Sequence, residues 1–104
     1  MKKIYNKLVR DKIAQVIEKN GGKANTKILT EEEYLKELNK KLEEEVKEYL
    51  QSGEVEELAD IEEVVLALVK LKGVSADKFE EIRLQKVEKR GAFENKLFLI
   101  DVEE

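Results

Sequence analysis

Residues 41–60 read KLEEEVKEYLQSGEVEELAD, and this stretch decides the fold. It holds two pairs of acids, Glu45 with Glu48 and Glu57 with Asp60, on either side of a Ser-Gly break. The two members of each pair are three residues apart, which makes them neighbours on one face of a helix. The stretch therefore predicts two consecutive helices that each present a pair of carboxylates.

The spacing of apolar residues predicts four helices in total. Thr30-Glu31-Glu32-Glu33 has the form of a capping box, so helix two begins there, and Ser52-Gly53 interrupts its pattern. The short connector that follows favours an antiparallel hairpin with helix three. The other predicted helices are helix one at about 9–20, helix three at about 54–72, and helix four from Ser75 or Asp77 to about Lys89. A loop is predicted at 21–27. Short extended segments are predicted at 3–9 and 97–102, and these two segments are candidates for pairing with each other.

The composition limits both the architecture and the chemistry. A chain of 104 residues is enough for one domain, 1–104, but not for two independent cores. The absence of cysteine, histidine and proline excludes disulfides, thiol nucleophiles and imidazole bases or ligands. Chemistry in this chain must therefore use carboxylates, amines, guanidinium groups, hydroxyls and the backbone.

The charge balance argues against several classes of partner. The chain has 20 basic and 24 acidic residues, and a net charge of −4 is too small to predict a general surface for a nucleic acid polymer or a membrane. No apolar run approaches the ~20 residues of a membrane span. We therefore expect a cytoplasmic protein.

Helical projection separates the acids from one another. Around Leu42, Glu45 lies at about 60° inside the apolar stripe and Glu48 at about 120° on its border. Around Ile61, Glu57 lies at about 40° and Asp60 at about 100°. The acids Glu43 and Glu44 fall on the opposite side of helix two. Each helix thus places one carboxylate in its core-facing stripe and a second at the edge of that stripe.

Two interpretations of this pattern stay open on spacing alone. Acid runs are usually solvated, and an inward acid can form a buried salt bridge with lysine or arginine of helix four. Two inward acids on facing helices would otherwise repel each other unless a cation lay between them. Oxygen ligands without histidine or cysteine suit Mg²⁺, with Mn²⁺ as a substitute.

Helix four carries a row of cations at Arg83, Lys86 and Arg90, within about 40° of Phe79 in projection. We expect this row to point towards the core side. Its cations could neutralise the acids or bind the phosphates of a metal-chelated substrate. No glycine-rich phosphate loop of the G-x-x-x-x-G-K-[ST] type is present.

Three segments resemble a known family, the all-α MazG-like nucleotide pyrophosphohydrolases, which include relatives acting on phosphoribosyl-ATP and dUTP. The resemblance covers nearly the whole chain. The chain departs from the family pattern at two positions. Ala14 stands where many relatives have proline, and Ala92 stands where glycine is common. Both differences affect local helix or turn geometry, and neither removes a proposed ligand. The segments that carry the resemblance are Asn6–Ile13, the acids of Lys41–Glu48 with Glu57–Asp60, and Lys89–Glu94.

The resemblance implies a four-helix MazG-like bundle with its core completed by oligomerisation, as a homodimer or homotetramer. It implies an enzyme that hydrolyses a nucleoside triphosphate to monophosphate and pyrophosphate, in nucleotide-pool house-cleaning. The metal ligands would be Glu45, Glu48, Glu57 and Asp60, binding Mg²⁺. Glu45 or Glu44 would act as base, and the phosphate contacts would come from Arg83, Lys86, Arg90, Lys7, Arg10 and Lys12.

Two alternative functions remain open from the sequence. One is the hydrolysis of phosphoribosyl-ATP by the same kind of site. The other is a non-catalytic helical oligomerisation module, in which the inward acids pair with the cations of helix four and no metal binds.

Overall fold

The computed structural model describes residues 1–104 and contains four α-helices and no β-strand, which confirms the predicted all-α fold class. No helix combines the length and the apolar character that a membrane span requires. The helices are α1 (Ile13–Lys19), α2 (Glu31–Ser52), α3 (Val55–Leu71) and α4 (Ala76–Arg90).

The long helix α2 begins at the predicted capping box. The Thr30 hydroxyl accepts a hydrogen bond from the Glu33 amide at 3.2 Å, and the Glu33 carboxylate accepts one from the Thr30 amide at 3.0 Å. Two amides that would otherwise lack intrahelical partners are thereby satisfied. The local sequence is therefore sufficient to fix where α2 starts.

A connector of Gly53 and Glu54 joins α2 to α3, and these two helices pack against each other. Gly53 adopts φ 68°, a left-handed conformation that glycine reaches without steric cost. So short a connector forces the chain to reverse, and the expected antiparallel hairpin is present. This hairpin brings the two acidic lines onto facing helices.

The other two helices do not close a bundle around the hairpin. Helix α4, whose cap is Ser75, packs on α3 alone and has no buried residue, while α1 contacts no other helix. Helix α1 also begins at Ile13, later than the predicted start near residue 9. Its capping position is Lys12, whose side chain makes no capping hydrogen bond, so nothing stabilises a longer helix there.

The predicted pairing of residues 3–9 with 97–102 is absent. Neither segment forms a strand, and no backbone hydrogen bond involves residues 1–9 or 92–104. Both segments are interrupted or preceded by left-handed residues, Asn6 at φ 45° and Lys96 at φ 56°. Asn6 breaks the extended run within 3–9 that a continuous ladder needs, and Lys96 lies just before the segment 97–102.

The chain buries very little of itself. Only Leu38, Val64 and Glu45 are buried, and the radius of gyration is 18.5 Å. A compact domain of this length has a radius of gyration of about 13 Å. The hydrophobic centre is therefore the single layer between α2 and α3.

We expect Thr30→Ala to lower the free energy of unfolding by about 1 kcal/mol, because the Glu33 amide loses its partner at the start of α2. Urea denaturation followed by circular dichroism measures this loss. Thr26→Ala is the matched control, since Thr26 is exposed in the preceding loop and makes no hydrogen bond that the substitution would remove. Equal unfolding free energies of the two variants would contradict the assignment of Thr30 as the stabilising cap of α2.

Candidate functional site

Three carboxylates meet where α2 faces α3. One oxygen from each of Glu45, Glu57 and Asp60 lies within 4.8 Å of the other two. Glu45 comes from the middle of α2, and the other two come from the first turns of α3. The hairpin turn produces this juxtaposition, because it sets the start of α3 beside the later turns of α2.

Glu45 is the most buried charged group of the chain. Its side chain is 9% exposed, and its Oε1 lies 3.3 Å from the Lys41 ammonium one turn earlier on α2. Its Oε2 is fully buried and has no hydrogen-bond partner. A carboxylate oxygen in that position carries a desolvation penalty that nothing in the protein offsets. It is therefore an unsatisfied acceptor within the acid cluster.

Burial raises the pKa of the Glu45 carboxyl above its ordinary value of 4.5. The neighbouring charge of Glu48 adds to this rise, whereas the hydrogen bond from Lys41 opposes it. Such a combination of desolvation and like charge is characteristic of functional carboxylates. A bound cation would reverse both raising effects, since it would compensate the buried charge and screen Glu48.

The remaining predicted ligands differ in how they are held. Asp60 is partly exposed and accepts a hydrogen bond from the Arg10 guanidinium at 2.6 Å. Glu57 is also partly exposed and has neither a salt bridge nor a side-chain hydrogen bond to the rest of the chain. Glu48 is exposed and lies outside the three-carboxylate cluster, although its charge acts on Glu45. The structure thus brings together three of the four predicted ligands.

The dimensions of the cluster suit a small divalent cation. Two oxygens bound to one Mg²⁺ lie at most about 4.2 Å apart, because each metal–oxygen distance is about 2.1 Å. The three carboxylate oxygens lie within 4.8 Å of one another, close to that value. Together with the unsatisfied Oε2 of Glu45, the cluster can hold a metal ion.

An open cleft of about 400 Å³ adjoins two of these acids, Glu45 and Asp60. Its wall consists of the segment before α1 together with the facing sides of α2 and α3. Apolar groups share that wall with three cations and with four acids, so the cleft offers an apolar surface beside charges of both signs; the acids are Asp11, Glu45, Asp60 and Glu63. The apolar residues are Leu8, Val9, Tyr34, Leu38, Val64 and Ala67, and the cations are Arg10, Lys12 and Lys41.

The segment before α1 supplies the predicted cations Lys7, Arg10 and Lys12. Lys7 lies 3.8 Å from the Glu44 carboxylate, and Lys12 lines the cleft. Glu44 itself lies between Lys7 and Lys41, at 3.8 Å from each, and is partly exposed. The late start of α1 matters here, because the extended residues before it carry Arg10 to Asp60.

The cation row of α4 has a different orientation from the predicted one. Arg83, Lys86 and Arg90 are all exposed, and Arg83 is paired with Glu80 on its own helix. None of the three forms a salt bridge with the acid cluster. The prediction that this row points towards the core side was wrong. Helix α4 packs only on α3, so its narrow apolar face does not reach the core of the hairpin. A phosphate role for this row stays a prediction.

Lys41 is the site residue that the sequence interpretation missed. It precedes Glu45 by four residues, a spacing at which opposite charges meet on a helix surface. That i, i+4 pairing was therefore readable from the sequence. What the spacing alone could not indicate is that only one Glu45 oxygen would be paired.

The chain matches no protein-family model, no curated protein and no solved structure. The interpretation of the site therefore rests on the residues and geometry of this chain.

We expect Glu45→Gln to change how stability depends on pH in metal-free protein. The folded-state pKa of Glu45 lies above its unfolded value of 4.5, so between those two values the native state binds more protons than the unfolded chain. Wild-type stability therefore rises as the pH falls towards 5, and glutamine removes that rise. The difference in unfolding free energy, variant minus wild type, should decrease from pH 7 to pH 5.

Urea denaturation in the presence of a chelator, repeated at pH 5, 6 and 7, measures this difference. Glu43→Gln is the matched control, because Glu43 is exposed on α2 and forms no salt bridge. A pH dependence equal to that of the control would show that Glu45 does not carry the shifted proton.

Proposed function

We propose that the protein is a Mg²⁺-dependent nucleoside triphosphate pyrophosphohydrolase. One observation carries the proposal: Glu45, which has a buried Oε2 without a hydrogen-bond partner, belongs to a cluster of three carboxylates. The resemblance of the flanking segments to MazG-like pyrophosphohydrolases supports the choice of substrate. The reaction class is the hydrolysis of a phosphoanhydride to a monophosphate and pyrophosphate.

In this proposal Glu45, Glu57 and Asp60 hold the metal, and Glu48 lies at the edge of the site as a further acid. Hard carboxylate oxygens without nitrogen or sulfur ligands favour Mg²⁺, with Mn²⁺ as a substitute. Bound Mg²⁺ would supply a polarised water and neutralise phosphate charge. The salt bridges of the apo protein leave room for this role, because they occupy Asp60 and one oxygen of Glu45 but not Glu57.

The chain's own residues then account for the other requirements of the reaction. Lys12 and Lys41 present ammonium groups to the cleft beside the acids, where they can bind phosphate oxygens. Tyr34, Leu8 and Leu38 supply an apolar wall for a nucleobase. Glu45 is the predicted base that belongs to the acid cluster and would take the proton of the attacking water, whereas Glu44, the other predicted base, lies outside the cluster and the cleft lining.

The bonds in the proposed reaction balance without a further reactant. The water oxygen forms a bond to a phosphorus of the α–β anhydride, and the bridging phosphorus–oxygen bond breaks. The leaving group keeps the electron pair of that bond. Cations along the cleft stabilise the charge that develops on the phosphoryl oxygens.

We further propose that the working protein is an oligomer, a homodimer or homotetramer. Apolar side chains along the hairpin stay open to solvent, including Leu50 at 75%, Val55 at 74% and Leu58 at 45% exposed. Exposed apolar side chains are the kind of surface that a second chain can cover.

We expect Glu45→Gln and Asp60→Asn to abolish Mg²⁺-dependent pyrophosphate release while the helical circular dichroism spectrum stays unchanged. The assay measures pyrophosphate from a panel of ordinary and damaged nucleoside triphosphates and from phosphoribosyl-ATP, with and without Mg²⁺. Glu43→Gln should retain wild-type turnover. Unchanged turnover in both site variants would overturn the assignment, and turnover of phosphoribosyl-ATP alone would favour that substrate instead.

A metal titration separates the enzyme from a non-catalytic helical module. Millimolar Mg²⁺ should raise the melting temperature of the wild type, because a ligand that binds only the folded state stabilises it. Glu45→Gln should lose most of that increase. If Mg²⁺ leaves the melting temperature unchanged, the result would favour the non-catalytic oligomerisation module, in which the acids pair with cations and bind no metal.

We expect Arg10→Ala to strengthen Mg²⁺ binding by up to about fivefold, since the metal no longer competes with the guanidinium for Asp60. The gain is small because the side chains of Arg10 and Asp60 are 57% and 37% exposed. Isothermal titration with Mg²⁺ alone measures it. Lys12→Ala is the control, because Lys12 lines the same cleft but forms no salt bridge with an acid. An equal gain in Mg²⁺ affinity in that variant would mean that the loss of a positive charge, rather than the release of Asp60, is responsible.

A further inference from the structure

Lys41 forms the salt bridge to the buried carboxylate of the acid cluster. Its ammonium lies 3.3 Å from Oε1 of Glu45, and its side chain is only 20% exposed. The Glu45 side chain is 9% exposed, and its Oε2 has no hydrogen-bond partner. In the metal-free chain, the positive charge paired with this carboxylate therefore comes from Lys41.

The contact between Lys41 and Glu45 is loose for a pair that is largely buried. Its distance of 3.3 Å exceeds the about 2.7–2.9 Å of a strong charge-assisted hydrogen bond. Lysine also precedes glutamate here, which is the less favourable order for an i, i+4 pair on a helix. The flexible stem of lysine lets its ammonium move without any change in the backbone. The pair is thus suited to exchange of partners.

Two other places for the Lys41 ammonium lie within its reach. The partly exposed Glu44 carboxylate is 3.8 Å from this ammonium. The Lys41 side chain also lines the cleft beside Glu45 and Asp60. An ammonium has three donors, so it can stay close to Glu44 and face an anion in the cleft at the same time. Leaving Glu45 therefore does not leave Lys41 without a partner.

We propose that Lys41 is an exchangeable counterion of the acid cluster. Its ammonium neutralises Glu45 in the metal-free protein, and it turns to an anionic group in the cleft when the acids hold a divalent cation. Lys41 and that cation compete for Glu45, because two positive charges beside one buried carboxylate repel each other. This inference rests on the proposed function, since it assumes that Glu45, Glu57 and Asp60 hold a metal.

The exchange couples the binding of a metal to the binding of an anion. While Lys41 is paired with Glu45, its charge is already neutralised and adds little to the attraction of an anion. Once released, the ammonium strengthens anion binding. The contribution of Lys41 to anion affinity should therefore depend on Mg²⁺, and by linkage an anion in the cleft should favour the metal by the same factor.

Lys41→Met tests the exchange, because methionine keeps an unbranched stem but has no charge. Isothermal titration at pH 8 measures the binding of Mg²⁺ alone, and then of inorganic pyrophosphate with chelator or with saturating Mg²⁺. We expect the Mg²⁺ dissociation constant to fall by about tenfold, since the competing ammonium is gone. At saturating Mg²⁺ the pyrophosphate dissociation constant should rise by about tenfold, and in chelator it should change much less.

Lys40→Met is the matched control, since it removes the same charge at the neighbouring position of α2. Lys40 is exposed, pairs with Glu37 on its own helix and does not line the cleft, so both dissociation constants should stay at their wild-type values. Lys41→Arg keeps a competing cation and should bind Mg²⁺ about as the wild type does. If Lys41→Met does not fold, Lys41→Gln replaces it, because its amide can still donate to Glu45 without carrying a charge.

The possible results separate this inference from the proposed metal site. Wild-type protein that does not bind Mg²⁺, or Glu45→Gln that binds it as tightly as the wild type, would overturn the metal site and the proposed function with it. Mg²⁺ binding that is lost in Glu45→Gln but equal in Lys41→Met and Lys40→Met would overturn the exchange alone. Weaker binding of both ligands by Lys41→Met would also overturn it, since Lys41 would then have only a structural role. So would a loss of pyrophosphate affinity that is the same with and without Mg²⁺.

Discussion

The burial of Glu45 is the constraint on which the rest of the site depends. A carboxylate that is taken out of water needs compensation for both of its oxygens, and Lys41 compensates only one. Placing this residue in the hairpin layer beside Leu38 and Val64 therefore costs stability in the metal-free chain. The same placement concentrates negative potential at a point that Glu57 and Asp60 also face.

The hairpin geometry brings two further acids close to the buried Glu45. Because Gly53 and Glu54 reverse the chain at once, acids about one turn into α3 meet an acid late in α2. The segment before α1 then adds Arg10 from the other side of the cleft. Arg10 and Lys41 partly neutralise the cluster through their ion pairs with Asp60 and Glu45.

The core of the single chain is sparse. Three buried residues cannot provide the apolar burial on which a chain of this length depends, and α1 has no helix to pack on. Apolar side chains on the hairpin and in Leu97–Ile100 are left in water.

Much of the fold and part of the site could be predicted from the sequence, because they depend on local interactions. The capping box at Thr30, the glycine at 53 and the 3.6-residue period fix α2 and α3. Projection correctly placed Glu45 inside the core-facing stripe, and it placed Glu48 on the border of that stripe, where the side chain is exposed. The terminal pairing and the inward row on α4 were wrong for a single chain, since both depend on which element packs against which. The periodicity of a helix alone does not show which other element packs against it.

The sequence by itself thus determined the all-α class, the helix limits at strong caps, and which carboxylates share a helix face. Only the tertiary structure decided that Glu45, Glu57 and Asp60 converge, that Lys41 and Arg10 are their partners, and that the cations of α4 stay in solvent. The reason is physical: caps and periodicity act between residues within one turn, whereas the distance between two helices follows from the whole of their packing.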